Sequence, residues 1–498
     1  MTHARFTTDG TPALVVEGDG PAPEAAQLAG PRARSAGEVS EVGAGWSVSF
    51  PLEASRWGGP RLALPSGAYD VRIDGAAVAG TLPLTGTLPL TMLGTLRAEL
   101  DGATLHIGPP IDPAYDSGEG QDALERRYVA QSGALENAVF FESFYGRNAS
   151  CNPYAIDREL SARAPGVTRY WSVVDLSVQV PDGAIAVVEG SPAWWRARGA
   201  SRLIVVNDWL RRRFSRRPGQ KVVQTWHGTP LKRLALHRPG FDPRRMAAVV
   251  RESRRWDVLL AQNPYAAGIL RRAYAFLTRP IWIEGYPRND VLVTGDGSAI
   301  RRMLGIGTDE RVLLYAPTWR DDRSEIVDFI DPAALAAATD SVVLVRGHSR
   351  TLQPGRDTGG PRVIDVTGFP DTSQLLLAAD ALITDYSSVM FDFSVTGKPM
   401  YFLVPDMEHF RGALRGFYFD LAAHAPGPVV RTQDELVDAL RADDRGAHAE
   451  AYSAWRAKFN ARDDGHAAER VVARLLDQGF IERGFIDQGV IDRGFIER

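Results

Sequence analysis

ALITDYSSVMFDFSVTGKP, residues 381–399, opens on a short apolar run at 381–384, turns through Asp-Tyr-Ser-Ser and continues as Val389-Met390-Phe391-Asp392-Phe393 before Gly397-Lys398-Pro399. A buried strand that runs straight into a helix start is the building unit of a parallel sheet covered by helices. Ser387 or Ser388 can cap that helix, and a helix start carrying hydroxyls and free N–H groups is a ready phosphate cradle; an ordinary structural cap is the plainer alternative. Gly397 and Pro399 stop the helix.

Working outward, the same texture recurs on both sides. Strands are expected at 312–316, 342–345, 363–365 and 400–403 after Asp296, and at 139–144, 184–189, 203–206, 222–226, 257–261 and 281–284 before it. Helices are expected over 152–164, 191–198, 209–217 and 264–275. Two such αβ series in tandem leave a cleft between them, with ligands beyond the carboxyl ends of the strands. Residues 1–118 differ, with short apolar runs alternating with Gly, Pro and Asp, and a Pro/Ala/Gly stretch at 18–37 that reads as mobile. The expected fold is therefore α/β: two Rossmann-like domains facing a cleft, preceded by a small β-rich domain. Boundaries fall at 1–118, 119–295 and 296–476. Residues 477–498 repeat every five residues at Gly479, Gly484, Gly489 and Gly494. Five residues gather no single apolar face on helix or strand, so this tail reads as disordered.

The 498 residues are 44% apolar and 24% charged, a globular composition with room for several domains. A formal charge of −4 lacks the bulk positive charge of a nucleic-acid binder, so any polyanion must be met by a local patch. The lone Cys151 excludes an intramolecular disulfide framework and multi-cysteine metal sites and suits the cytosol. No window reaches the 18 apolar residues of a membrane span. The chain is expected to be soluble or to lie on a membrane. Arginines cluster at 211–217 and again at Arg244, Arg245, Arg251, Arg254 and Arg255. The second set shares a helix pattern with Met246, Val249 and Val250, which suits either an anionic bilayer or a solvated basic face.

Three further stretches carry candidate chemistry. In Gln224-Thr225-Trp226-His227-Gly228-Thr229-Pro230-Leu231-Lys232 a histidine leaves a strand into a glycine turn, where its imidazole can take a proton from a hydroxyl. A lone histidine there is more often an ordinary hydrogen-bonded residue; Gly228, Thr229 and Lys232 beside it shift the balance. Tyr315-Ala316-Pro317-Thr318-Trp319-Arg320 again follows a strand, and Thr318 and Arg320 suit a phosphate or ribose as well as they suit a capped turn. Arg346-Gly347-His348 ends the strand at 342–345, placing a permanent cation and a second imidazole at the cleft. Asp385, Ser387, Ser388 and Lys398 complete the candidate set. No metal motif stands in a convincing setting, and no tightly bound metal or cofactor is expected.

Together these stretches resemble the CDP-glycerol glycerophosphotransferase family of teichoic-acid primases and polymerases. FFESFYGRNASCNPYAI (140–156), QTWHGTPLKRL (224–234), EGYPRND (284–290), YAPTWRDD (315–322), RGH (346–348), the region 375–399 with ADALITDYSS, and FNARDDGHAAERV (459–471) carry the likeness over about residues 136–475. It implies a glycosyltransferase-B-like fold, a CDP-glycerol or related CDP-polyol donor held mainly by the second αβ half, and a lipid-linked or polymeric polyol-phosphate acceptor on the first. It also implies a place on the inner face of the cell membrane. His227 matches the family's proposed base; His348 and the Ser387-Ser388 turn match the diphosphate side. The expected reaction moves a polyol phosphate to an acceptor hydroxyl and releases CMP, with Arg346, His348 and N–H groups near Ser387 and Ser388 neutralising phosphate charge. The competing expectations are a sugar-nucleotide glycosyltransferase on the same architecture and a non-catalytic envelope scaffold.

Overall fold

The computed structural model describes residues 2–8, 10–86, 90–318, 329–347, 362–407 and 416–483. Residues 3–108 form antiparallel sheets. One has the order His3–Thr7, Ala13–Asp19, Gly45–Pro51, Glu38–Val42. The other centres on Gly67–Ile73, flanked by Ala26–Ala29 and Thr104–Gly108. Alternate side chains such as Leu14, Val16, Val48, Phe50, Tyr69, Val71 and Leu105 point into one shared core, as half-buried strands require. The stretch expected to be mobile instead supplies the strands Ala26–Ala29 and Arg34–Ala36. Its Leu28 is fully buried, and that packing outweighs the surrounding Pro and Gly.

The rest of the chain builds two parallel sheets. The first runs Ile185–Val188, Thr168–Val173, Glu136–Glu142, Ser201–Val206, Lys221–Gln224, Val258–Ala261, Ile281–Ile283. The second runs Val363–Asp365, Ser341–Val345, Arg311–Ala316, Ala381–Thr384, Met400–Leu403, Val429–Val430. Every pairing in both is parallel. Such strands are covered on both faces and read as continuous apolar runs, which is why most were visible in the sequence. In each sheet the strand order reverses once, beside Glu136–Glu142 in the first and Arg311–Ala316 in the second. The carboxyl ends at those reversals are where a ligand crevice forms.

Three further features differ from expectation. Thr168–Val173 is an interior strand, second from the edge, whose Arg169 and Ser172 hide it in the sequence; both are buried, Arg169 on Asp157 at 2.8 Å and Ser172 on Glu142 at 2.8 Å. Residues 209–217 form no helix. Arg212 takes a positive φ of 54°, and the arginines reach outward to ion pairs, Arg211 and Arg212 to Glu189, Arg213 to Glu125 and Arg216 to Asp257. Finally, the chain returns to the first lobe at its end. Helix Ala467–Asp477 buries Val471, Val472 and Leu475 against the first sheet. The first repeat unit follows it, with Ile481 1% exposed, Phe480 against Trp282, and the Glu482 N–H donating to Asn137 at 2.9 Å. An edge at 476/477 therefore cuts a packed unit; residues 484–498 lie outside the described residues.

Replacing Ile481 with Ala removes a fully enclosed side chain and should lower the unfolding free energy by about 2–5 kcal/mol in chemical denaturation. A change below about 0.5 kcal/mol, the ordinary range for a surface site, would show that this segment does not pack as described.

Candidate active site

Between the lobes, at the carboxyl ends of both sheets, lies a cavity of about 320 Å³. Phe144, Ser150, Cys151, His227 and Arg288 line it from the first lobe, and Pro317, Arg346, Asp371, Ser387, Ser388 and Asp392 from the second. A larger cavity of about 470 Å³ beside Tyr401 and Tyr452 adjoins the amino end of Met400–Leu403 and holds none of these groups. Position at the strand reversals, rather than size, identifies the smaller one as the candidate site.

His227 follows the strand Lys221–Gln224, and its ring is held on three sides. Trp226 stacks on it at 4.7 Å between centroids with a 21° tilt, and Phe144 leans on it at 5.8 Å. Nδ1 lies 2.6 Å from the carbonyl oxygen of Asn207. A carbonyl can only accept, so Nδ1 carries the proton and the neutral ring leaves Nε2 as its lone-pair nitrogen. Asn207 is itself fixed, its side chain accepting from Phe144 N at 2.9 Å and donating to Ser143 Oγ at 3.1 Å. Asn152 clamps the strand end by donating to the carbonyls of Thr225 and Trp226 at 3.3 and 3.2 Å. Four non-glycine residues here take positive φ: Phe144 (46°), Tyr145 (59°), Cys151 (65°) and Trp226 (55°). Such backbone is costly for bulky residues and persists only where surroundings over-determine it.

The lobes are joined at the cavity floor by Arg288 and Asp392. Nη2 meets both carboxylate oxygens at 2.9 and 2.7 Å, and Nε meets Oδ1 at 3.3 Å. Nη1 of the same guanidinium donates to the carbonyl of His227 at 2.9 Å and to Cys151 Sγ at 3.0 Å. Burial alone would lower the guanidinium's pKa, but the Asp392 carboxylate raises it above its ordinary value. Nearby the lobes touch directly: a Cβ on Gly228 would stand 2.8 Å from Ser388 Oγ, so any side chain there would displace Ser388.

Among the residues expected from sequence, the cavity gathers His227, Arg346, Ser387 and Ser388. Arg346 donates to the carbonyls of Val366 and Phe369 at 3.1 and 3.0 Å. Burial lowers its pKa to about 10, which still leaves it cationic at neutral pH. Ser388 makes no side-chain cap on the short helix Val389–Phe393, and Ser387 Oγ only approaches Val389 N at 3.5 Å, so neither hydroxyl is spent on capping. The other candidates stand elsewhere. Thr229 is buried, donating to Gln262 Oε1 at 2.6 Å and accepting from Asn263 Nδ2 at 3.1 Å. Lys398 donates to the carbonyls of Leu377 and Ala379 at 2.8 and 2.6 Å, closing the end of helix Thr372–Ala378. Asp385 accepts from Thr318 N at 2.8 Å and Tyr386 N at 2.5 Å, which shapes the loops behind the cavity. Lys232 reaches across the lobes to Thr318 Oγ1 at 3.4 Å. His348 and Arg320 lie outside the described residues. Sequence reasoning passed over Arg288, Asp392, Asn207 and Cys151, although EGYPRND and the SCNPYAI stretch contain two of them. Among the described residues, no group of three or more His, Cys, Asp or Glu could hold a metal ion.

Comparison with known proteins agrees with this architecture. The family model described as CDP-Glycerol:Poly(glycerophosphate) glycerophosphotransferase matches residues 126–477. A teichoic acid glycerol-phosphate transferase of Staphylococcus aureus is 35% identical over 374 residues, covering 68% of this chain and 92% of that protein. A teichoic acid poly(glycerol phosphate) polymerase of Bacillus subtilis is 34% identical over 359 residues, 67% of this chain but 48% of the longer relative. Among solved structures, the wall teichoic acid polymerase TagF superposes with a TM-score of 0.66 at 30% identity, over 72% of this chain and 94% of that one. A singly substituted form of TagF, soaked with CDPG, superposes with a TM-score of 0.65 at 29% identity, over 73% and 98%.

Asp392→Ala strands the Arg288 charge in the interior and should cost about 3–5 kcal/mol of stability, whereas the paired Arg288→Met/Asp392→Leu replacement should cost clearly less. Urea or guanidinium titrations of the variants read this directly; equal losses would mean that the pair is not buried as a unit.

Proposed function

This chain belongs to the CDP-glycerol:poly(glycerophosphate) glycerophosphotransferase family, and on that footing we propose that the interlobe cavity is where it transfers glycerol phosphate from CDP-glycerol to an acceptor hydroxyl in teichoic-acid synthesis. The observation that carries the residue assignment is the 2.6 Å contact between His227 Nδ1 and the carbonyl oxygen of Asn207. With Nδ1 committed to Asn207, Nε2 is the base of a cavity whose opposite wall bears Arg346 and the Ser387-Ser388 turn. The acceptor oxygen attacks the phosphorus that bears glycerol, its proton passes to Nε2, and the bond to the bridging oxygen breaks so that CMP departs with the electron pair. Arg346 and the hydroxyl and N–H groups at Ser387 and Ser388 neutralise charge on the equatorial and bridging oxygens. Positioning and electrostatics supply most of such a rate enhancement, with general-base help contributing roughly 10²–10⁴-fold.

His227→Ala should therefore lower kcat by about 10²–10⁴-fold while leaving the Kd for CDP-glycerol within about twofold. CMP release and calorimetric titration with donor measure both. Unchanged turnover would remove His227 from the reaction.

A lipid-linked acceptor and the membrane face form the finer part of this reading. No helix among the described residues is long and apolar enough to cross a membrane. In helix Pro243–Ser253, Val249 packs into the core, so the apolar stripe faces the protein and not a bilayer. Arg244 and Arg251 of this helix and Arg254 just after it are exposed, as are Phe241 (84%) just before it and Leu277 (64%) in the loop after the next helix. Exposed apolar side chains among arginines suit an anionic lipid surface, each cation adding about 1 kcal/mol. Phe241→Ala/Arg244→Ala/Arg251→Ala should abolish flotation with phosphatidylglycerol vesicles and leave turnover on a water-soluble acceptor intact. Persisting flotation would place the contact elsewhere.

A further inference from the structure

The family match begins at residue 126, yet one turn of the N-terminal β unit touches both lobes of the enzyme. The strands Glu53–Ser55 and Arg61–Ala63 form a hairpin, tightened by Gly59 N donating to Arg56 O at 3.0 Å and Ser55 Oγ donating to Gly59 O at 2.6 Å. At its tip Trp57 and Gly58 both take positive φ, 53° and 64°. Glycine tolerates this; tryptophan is a genuine outlier there. An outlier of that kind is evidence that the side chain is wanted where it points.

It points into the second lobe. Trp57 meets Phe369 edge-on, with centroids 5.3 Å apart and planes at 66°, and a Cβ on Gly58 would lie 3.3 Å from Met303. The opposite side of the same turn is fastened to the first lobe. Arg56 donates to Ser177 O at 2.5 Å, and a Cβ on Gly59 would lie 3.3 Å from Gln179. The adjoining chain adds Arg32 and Ser66 N, both on the buried Asp175 at 3.2 and 2.9 Å. Phe369 is more than a packing partner, because its carbonyl is one of the two that orient the Arg346 guanidinium at the cavity.

We propose that the Arg56–Gly59 turn is a cross-lobe brace, with Trp57 a positioning residue that holds the 366–369 loop and, through Phe369, sets Arg346 for the donor phosphate. This rests on the assignment of Arg346 above. The β unit is on this view part of the donor site's scaffold: it ties the lobe that carries His227 to the loop that carries the phosphate-facing cation.

The test uses the full-length protein. Trp57→Ala should raise the KM for CDP-glycerol about 2- to 10-fold, the worth of one aromatic pair, with kcat changed less than about twofold. It should also speed amide exchange across residues 362–371, while Trp57→Phe, which keeps a ring in place, should restore both. Phe369→Leu removes the contact from the other side, so a Trp57→Ala protein that fails to fold leaves the measurement available. Arg346→Gln separates the premises. If it leaves KM unchanged while Trp57→Ala still speeds exchange at 362–371, the assignment of Arg346 fails and the brace stands. If Arg346→Gln raises KM but loss of the Trp57–Phe369 contact alters neither exchange nor KM, or alters exchange alone, the positioning role is overturned.

Discussion

The bidentate pair between Arg288 and Asp392 is the constraint on which the site depends. Both side chains are largely out of water, at 11% and 9% exposure, and they belong to different lobes. Two charges withdrawn from solvent recover their hydration only when geometry is close and remaining donors are used, and here every guanidinium nitrogen has a partner. A lobe displaced by a few ångströms would leave both ions stranded. The pair therefore sets lobe position more sharply than an apolar contact of the same area could. Because the same Arg288 also holds the carbonyl of His227, the interlobe spacing and the placement of the imidazole are one fact.

A second polar hub reinforces the first. Asp463, from the RDDG stretch, accepts from Gln262 and Asn460 on one oxygen at 2.7 and 3.2 Å, and from Tyr286 N and Asn289 on the other at 3.0 and 3.3 Å. Burial pushes its carboxyl up to about 6, against the opposing pull of those donors. The hub pins the start of the returning C-terminal segment beside the Arg288 loop. With that segment so tied, the strained conformations at Phe144, Tyr145, Cys151 and Trp226 have firm surroundings to hold them.

What could be seen in the sequence follows from how local each signal is. Buried parallel strands announce themselves as apolar runs, and a histidine or serine just beyond such a run must sit at the crevice, so His227, Ser387 and Ser388 were legible. Arg288 and Asp392 are 104 positions apart, and nothing within either segment distinguishes an arginine that bridges lobes from one on the surface. Thr229 and Lys398 look like ligand groups because a hydroxyl and an ammonium can bind phosphate. They are equally suited to closing internal hydrogen bonds, to Gln262 and to two helix-end carbonyls, and that is where the fold uses them. Thr168–Val173 was missed because a buried polar residue is recognisable only with its partner in view. The arginines at 211–217 suggested a helix by residue type, although ion pairs to three separate elements favour an irregular path.

Charge at the cavity also decides which arginine is available to a diphosphate. Asp392 cancels the charge of Arg288, and a second anion there would have to compete with a bidentate carboxylate already in place. Among the described residues, the hydrogen bonds of Arg346 go to two carbonyls, which orient it without neutralising it. The carboxylate that acts on it, among the described residues, is Asp371, whose own ionisation is disfavoured by burial. Among the described residues lining the cavity, Arg346 is thus a cation whose hydrogen bonds leave its charge unneutralised, and the chain's overall charge of −4 is no obstacle to an anion there because the field that matters is set within a few ångströms. Holding that one guanidinium at a fixed depth becomes the geometric problem the second lobe must solve, and the carbonyl of Phe369 is half of the solution.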